Sequence, residues 1–157
     1  LMRLAERIHP AAIACGFLAG GKQEAIAGLV NLLDRAYGPL DQRAIVRAVL
    51  NREELISTGV GGGVALPHAR ADGVRDVLVA LGIAASAVDF DAQDGQAVRI
   101  FFMIVGPLDR VFQRNQLEVE AKISRLLKSS GFSDALLGCA DAEQVLACIR
   151  TYEAGIG

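Results

Sequence analysis

The chain has 157 residues, 52% of them hydrophobic and 22% charged, with a net charge of −2 and a pI of about 5.7. That length and apolar content suit one domain over residues 1–157, able to bury a core without disulfides or metals. A slightly acidic chain without tryptophan and with 5% aromatic residues has neither the basic footprint nor the stacking platform of a nucleic-acid binder.

Leu1 stands ahead of Met2 and reads as an added or trimmed end. Arg3, Glu6 and Arg7 break up the apolar residues that follow, so the start does not read as a secretory leader. Residues 1–21 read as an irregular or strand-forming lead-in, with Ile13, Cys15 and Phe17 alternating before Gly20 and Gly21 stop the pattern. His9, beside Pro10, is read as exposed and solvated. From Lys22 the period becomes helical through Ala25, Ile26, Leu29, Val30, Leu33 and Ala36, until Gly38 and Pro39 end it. A second helix follows, with Asp41 as its N-cap and Ile45, Ala48, Val49 and Leu55 as its buried stripe. Arg52 lies near its C-terminal end, where the helix dipole favours a cation.

Residues 51–70, NREELISTGVGGGVALPHAR, concentrate glycines, hydroxyls, two arginines and a histidine. They read as a phosphate-handling loop that ends on a phosphorylatable histidine. Gly59, Gly61 and Gly63 free the backbone for close approach to an anion, Ser57 and Thr58 add hydroxyls, and Pro67 stiffens the chain before His68. Those five residues, Ser57 to Gly63, are the expected phosphate-binding set. A Walker A loop is excluded because Val64 and Ala65 follow the glycines, and a dinucleotide fingerprint fails at Val64.

Two nearly continuous apolar runs, 77–84 and 98–105, read as strands buried on both faces, which implies a sheet covered by helices on both sides. The longest uncharged apolar run, 77–88, has 12 residues, against the roughly 20 that a membrane-spanning helix needs, so no membrane insertion is expected. Between the strands, Asp94-Gly95 marks a tight turn. A helix over 114–130 carries Leu117, Val119, Ala121, Ile123, Leu126 and Leu127, and a last one begins at Asp141, where Asp141 and Gln144 have capping-box spacing. Cys139 and Cys148 read as small core residues. With Cys15 they make an odd set with no metal or disulfide spacing, so no metal is expected and a reduced cytoplasmic setting fits.

Imidazole forms covalent intermediates and offers a neutral nitrogen at neutral pH. Phosphoryl transfer to it needs positioning and charge stabilisation. Arg52, on a helix end, is better placed than Arg70 to bring a planar fork to phosphoryl oxygens, and Arg70 is read as solvated. A histidine that merely packs beside a glycine turn stays open as the rival reading.

The string Arg52-Glu53, Ser57-Thr58-Gly59, Gly61, Gly63-Val64-Ala65, Pro67-His68-Ala69-Arg70 resembles the signature of type-2 enzyme IIA domains of the bacterial phosphotransferase system, the fructose/mannitol and nitrogen-regulatory group. The likeness extends to Lys22-Gln23-Glu24-Ala25-Ile26, to 95–107 and to 116–127. It implies an α/β fold with a mixed central sheet flanked by helices on both faces. It also implies that His68 accepts a phosphoryl group on Nε2 from an HPr-like phosphocarrier, with Arg52 beside it and with no nucleotide, metal or other cofactor. The group then passes to a IIB cysteine or serves as a signal to a regulated target protein. The departure is at Gln116, which with Leu117 stands where the family has a second active-site histidine, and at Glu120, where an apolar residue is expected. The two share a helix face and are placed to hydrogen-bond. Glutamine can still donate a hydrogen bond to a phosphoryl oxygen but cannot take up a proton or a positive charge, so slowed transfer is expected. A working carrier and a regulatory or degenerate binding module both remain open. Either is expected to dock partners on an apolar rim that includes Val60, Leu66 and Phe112.

Overall fold

The computed structural model describes residues 2–55 and 57–156; the end at Leu1 lies outside them. In chain order the elements are α1 (Leu4–Arg7), β1 (Ile13–Phe17), α2 (Lys22–Tyr37), α3 (Gln42–Leu55), β2 (Gly59–Gly61), β3 (Val64–Ala65), β4 (His68–Ala71), β5 (Leu78–Val88), β6 (Val98–Pro107), α4 (Gln113–Lys128), α5 (Phe132–Leu137) and α6 (Ala142–Ile156), with single 3-10 turns at Pro10–Ala12 and Arg110–Phe112.

The two apolar runs form the centre of the sheet. β5 and β6 pair antiparallel from Leu78↔Val105 to Val88↔Val98, and β1 lies parallel to β5 on the far side. Side chains alternate across a strand, and along β6 that alternation divides the core. Phe101, Met103 and Val105 join Leu29, Leu33 and Val49 of α2 and α3 on one face, whereas Ile100, Phe102 and Ile104 join Ile123, Leu126 and Ile149 of α4 and α6 on the other. Phe101, Phe102 and Met103 have no exposed surface, and each such burial contributes about 1.5–3 kcal/mol. The sheet is therefore mixed and flanked by helices on both faces. Among the described residues, no helix is long and apolar enough to cross a membrane.

Asp41 caps α3 by accepting from the Ala44 N–H at 3.1 Å. At α6 the Gln144 N–H donates to Asp141 Oδ1 at 2.9 Å, while the Gln144 side chain reaches back to the Ala140 N–H at 2.8 Å, one residue earlier than a capping box requires. Two helices depart from the sequence reading. α1 forms inside the lead-in because the buried Glu153 carboxylate on α6 accepts the Leu4 and Ala5 N–H groups at 2.7 and 3.0 Å, with Lys122 Nζ at 3.6 Å. α5 occupies 132–137, where no element was expected. Stretch 51–70 is not a simple loop: its described residues carry the end of α3, all of β2 and β3 and the first three residues of β4.

Candidate functional site

β3 and β4 run parallel to β6 in one unbroken register: Val64↔Ile100 and Ala65↔Phe101, then His68↔Ile104 through Ala71↔Pro107. Leu66 and Pro67 interrupt the ladder because proline has no N–H to donate. The Pro67 carbonyl still accepts from Ile104 N–H at 3.0 Å. The Leu66 carbonyl takes the ring of His68 instead, with Nδ1 at 2.8 Å. A carbonyl only accepts, so the proton of the neutral ring sits on Nδ1 and Nε2 keeps its lone pair. His68 is half-buried at the start of β4 and lies with Arg70 on the α4 side of the sheet, while Ala69 and Ala71 enter the α2/α3 core.

The glycines build a hairpin. Gly61, Gly62 and Gly63 take φ of +92°, +65° and +78°, conformations that side chains rarely adopt, and so reverse β2 into β3. Gly59 is extended, but a Cβ there would lie 2.6 Å from Ala92 Cβ, so only glycine permits that approach. Asp94, at the turn expected in the β5–β6 connection, accepts from Gly62 N–H at 3.1 Å and Gln96 N–H at 3.0 Å.

The donors read as a phosphate cradle are largely engaged inside the protein. Thr58 gives its N–H to Glu53 Oε1 at 2.9 Å and its hydroxyl to the same oxygen. The Gly59 N–H donates to Ser57 Oγ at 3.1 Å, and the Ser57 hydroxyl donates to the Phe90 carbonyl at 3.3 Å. Gly63 contributes its carbonyl, which accepts from Arg99 and Ile100 N–H. Arg52 is half-buried in the last turn of α3, a helix that packs against β4.

Gln116 is buried. Its Nε2 donates to the Ala69 carbonyl at 3.4 Å, one residue from His68, and its Oε1 fills the space left open by the missing side chain of Gly106. Among the described residues that oxygen has no hydrogen-bond partner. Glu120, one turn on, is half-buried, and among the described residues no hydrogen bond joins it to Gln116, contrary to the sequence reading. Arg70, read as solvated, is only partly so. It is half-buried, Nη2 donates to the Leu108 carbonyl at 2.7 Å, and among the described residues the buried Nε has no partner.

Sequence reasoning missed Glu53 and the Leu66 carbonyl. Glu53 is 6% exposed and holds Lys22 Nζ at 3.2 Å as well as Thr58. Around the site, Val60, Leu108, Val111 and Leu117 are 59%, 52%, 70% and 57% exposed, whereas Leu66 and Phe112 are half-buried against the α4-side core. Among the described residues no group of three or more His, Cys, Asp or Glu is arranged to hold a metal ion. The three thiols are half-buried. Burial raises all their pKa values, that of Cys148 to about 11, with Cys139 adding to the rise.

The fold and site thus define an α/β domain that presents an imidazole with a bare Nε2 near an apolar rim. The chain matches the family described as "Phosphoenolpyruvate-dependent sugar phosphotransferase system, EIIA 2" over residues 8–152, and it belongs to that family. It is 29% identical over 152 residues to the fructose-specific EIIABC component of Bacillus subtilis, covering 97% of this chain but only 24% of that protein. It is 28% identical over 155 residues to a nitrogen regulatory protein of Pseudomonas aeruginosa, covering 99% of each. Among solved structures, the nitrogen regulatory protein IIA-Ntr from Neisseria meningitidis superposes with a TM-score of 0.83 at 29% identity, covering 93% of this chain and 98% of that one. The fold also recurs, at 22% identity and a TM-score of 0.74, in enzyme IIAMTL of Escherichia coli, solved in complex with phosphorylated enzyme IIBMTL; 90% of this chain and 95% of that one are covered.

Proposed function

We propose that this domain is a cytoplasmic phosphoryl carrier in which His68 Nε2 takes a phosphoryl group from the phosphohistidine of an HPr-like protein. It then passes the group to a IIB cysteine or holds it as a regulatory state. The observation that carries this reading is the Nδ1–H···O=C bond to Leu66, because it leaves Nε2 as the nucleophilic nitrogen of a half-exposed ring. In the transfer the Nε2 lone pair forms the new N–P bond. The donor's N–P bond breaks, and the donor nitrogen keeps that electron pair. The His68 ring, now bearing phosphorus on Nε2 and hydrogen on Nδ1, carries positive charge that the Leu66 carbonyl stabilises. Arg52 supplies a planar cation to the phosphoryl oxygens. No nucleotide or metal is needed at this step.

Ser57, Thr58, Gly59, Gly61 and Gly63 serve the phosphoryl group chiefly by shaping the hairpin beside it. Gln116 directs its amide N–H to Ala69 and can neither take up a proton nor carry a positive charge, which supports slowed transfer. The exposed Val60, Leu108, Val111 and Leu117 suit transient docking of both partners. The regulatory outcome draws support from the likeness to the nitrogen regulatory proteins at 28% and 29% identity.

Incubation with a labelled phospho-HPr-like carrier tests the reading. Acid-labile label on the wild type and none on His68→Ala is the expected result. An unlabelled wild type, or equal labelling of both, overturns it.

A further inference from the structure

We propose that Glu53 is a positioning residue for His68, selecting its reactive tautomer through Thr58 and Leu66. The inference rests on the reading of Nε2 as phosphoryl acceptor. Four contacts make the connection. Lys22 Nζ lies 3.2 Å from Glu53 Oε2. Glu53 Oε1 accepts the Thr58 N–H at 2.9 Å and the Thr58 hydroxyl. The Thr58 carbonyl accepts the Leu66 N–H at 2.9 Å. The Leu66 carbonyl accepts His68 Nδ1–H at 2.8 Å.

The sheet does not supply this orientation by itself. Leu66 and Pro67 stand between β3 and β4, and Thr58 precedes β2, so neither Leu66 nor Thr58 is held within a strand. Thr58 is fixed by a buried carboxylate, and a buried carboxylate must itself be paired. Lys22 provides the pairing. It also lies 3.6 Å from Asp91 and 5.0 Å over the Phe90 ring, and the Phe90 carbonyl accepts the Ser57 hydroxyl. One cluster therefore secures residues 57 and 58 together, while Arg52 sits beside Glu53 on the same helix turn.

The chemical consequence concerns the proton. Free neutral histidine prefers its proton on Nε2, the nitrogen that must be bare for phosphoryl transfer. The Leu66 carbonyl reverses that preference, and it does so only while Leu66 is held in place. Loosening Thr58 lets the carbonyl turn away and returns the ring to its unreactive tautomer.

The test reads the His68 tautomer by 15N NMR of the imidazole in the unphosphorylated protein, and separately the rate of phosphorylation by phosphoramidate, a small donor that needs no partner. In the wild type, Nδ1 is protonated. In Glu53→Ala the Nε2–H form becomes the major tautomer and phosphorylation slows about tenfold. Glu53→Gln, which keeps an acceptor for Thr58, falls between. Glu153→Gln, at the other buried carboxylate, leaves the tautomer unchanged and so separates positioning from general stability. A folded Glu53→Ala protein with the wild-type tautomer overturns the proposal. Should Glu53→Ala not fold, Glu53→Gln and Thr58→Val decide, and unchanged tautomers in both overturn it. A wild type that shows Nδ1–H but takes no phosphoryl group refutes the acceptor reading, while the NMR comparison still decides the role of Glu53.

Discussion

Replacing Gln116 by leucine is expected to stabilise the protein. The side chain is buried in α4; among the described residues Oε1 above Gly106 has no partner, and the bond from Nε2 to the Ala69 carbonyl is long at 3.4 Å. A buried acceptor without a partner destabilises by about 1–3 kcal/mol, whereas a weak neutral hydrogen bond contributes about 0.5–1 kcal/mol. Leucine nearly matches glutamine in volume and has no polar atom to satisfy, so the net gain is about 1–2 kcal/mol. For a domain of this size each kcal/mol moves Tm by about 2–4 °C, giving a rise of about 2–8 °C. Urea denaturation with an unchanged m-value, together with calorimetry, measures it. Equal or lower stability would show that Oε1 is satisfied in solution and refute the argument. If the variant is more stable yet transfers phosphoryl groups more slowly than wild type, the amide is retained for function at the expense of stability.

Three further outcomes follow from the packing. Gly62→Ala meets open space and only the strain of φ +65°, so it should destabilise by about 1–2 kcal/mol; Gly59→Ala, which would drive a Cβ to 2.6 Å from Ala92, should lose more in the same urea titration. Lys122→Met strands Glu153, whose side chain is 1% exposed, and should cost about 3–5 kcal/mol, with a Lys122→Met/Glu153→Gln double variant recovering part of it. The raised thiol pKa values mean that the folded state holds these protons more tightly than the unfolded chain, so stability should be level below pH 9 and fall as pH rises toward 11, and a Cys148→Ser variant should flatten that fall.

The parts of the fold that were legible are those with a long period. β5 and β6 announce themselves by apolar runs, and α2, α3, α4 and α6 by stripes and caps. α1 was not legible because its first amides are satisfied by Glu153, a residue 148 or 149 positions away. α5 spans six residues, too few to show a helical period. β2 to β4 hid within a composition that reads as loop, since glycines dominate where the chain must reverse. At the site, residue type and spacing single out His68 and Arg52, and the structure places them at the start of β4 and in the last turn of α3, which pack together. The Leu66 carbonyl has no letter in the sequence, and Glu53, although it stands in the Arg52-Glu53 string, shows nothing of its partners until Lys22 and Thr58 close over it. The bond from Arg70 to the Leu108 carbonyl was not legible because strand alternation, invisible in a presumed loop, turns Arg70 with His68 toward α4.

The glycine run and the histidine are linked by register rather than by a shared ligand. A one-residue slip of β4 along β6 would put Ala69 opposite Ile104 and turn the imidazole into the α2/α3 core. Two carbonyls oppose that slip. Gly63, held at φ +78°, accepts from both Arg99 and Ile100 N–H at 2.9 and 3.1 Å, ahead of β3. Pro67 accepts from Ile104 N–H at 3.0 Å, just before His68. Between those two anchors the chain is short, and the turn of the hairpin brings the Leu66 N–H to the Thr58 carbonyl, where Glu53 holds it. Glycines that look like an anion cradle thus act one step removed, by deciding which face of the sheet the histidine occupies.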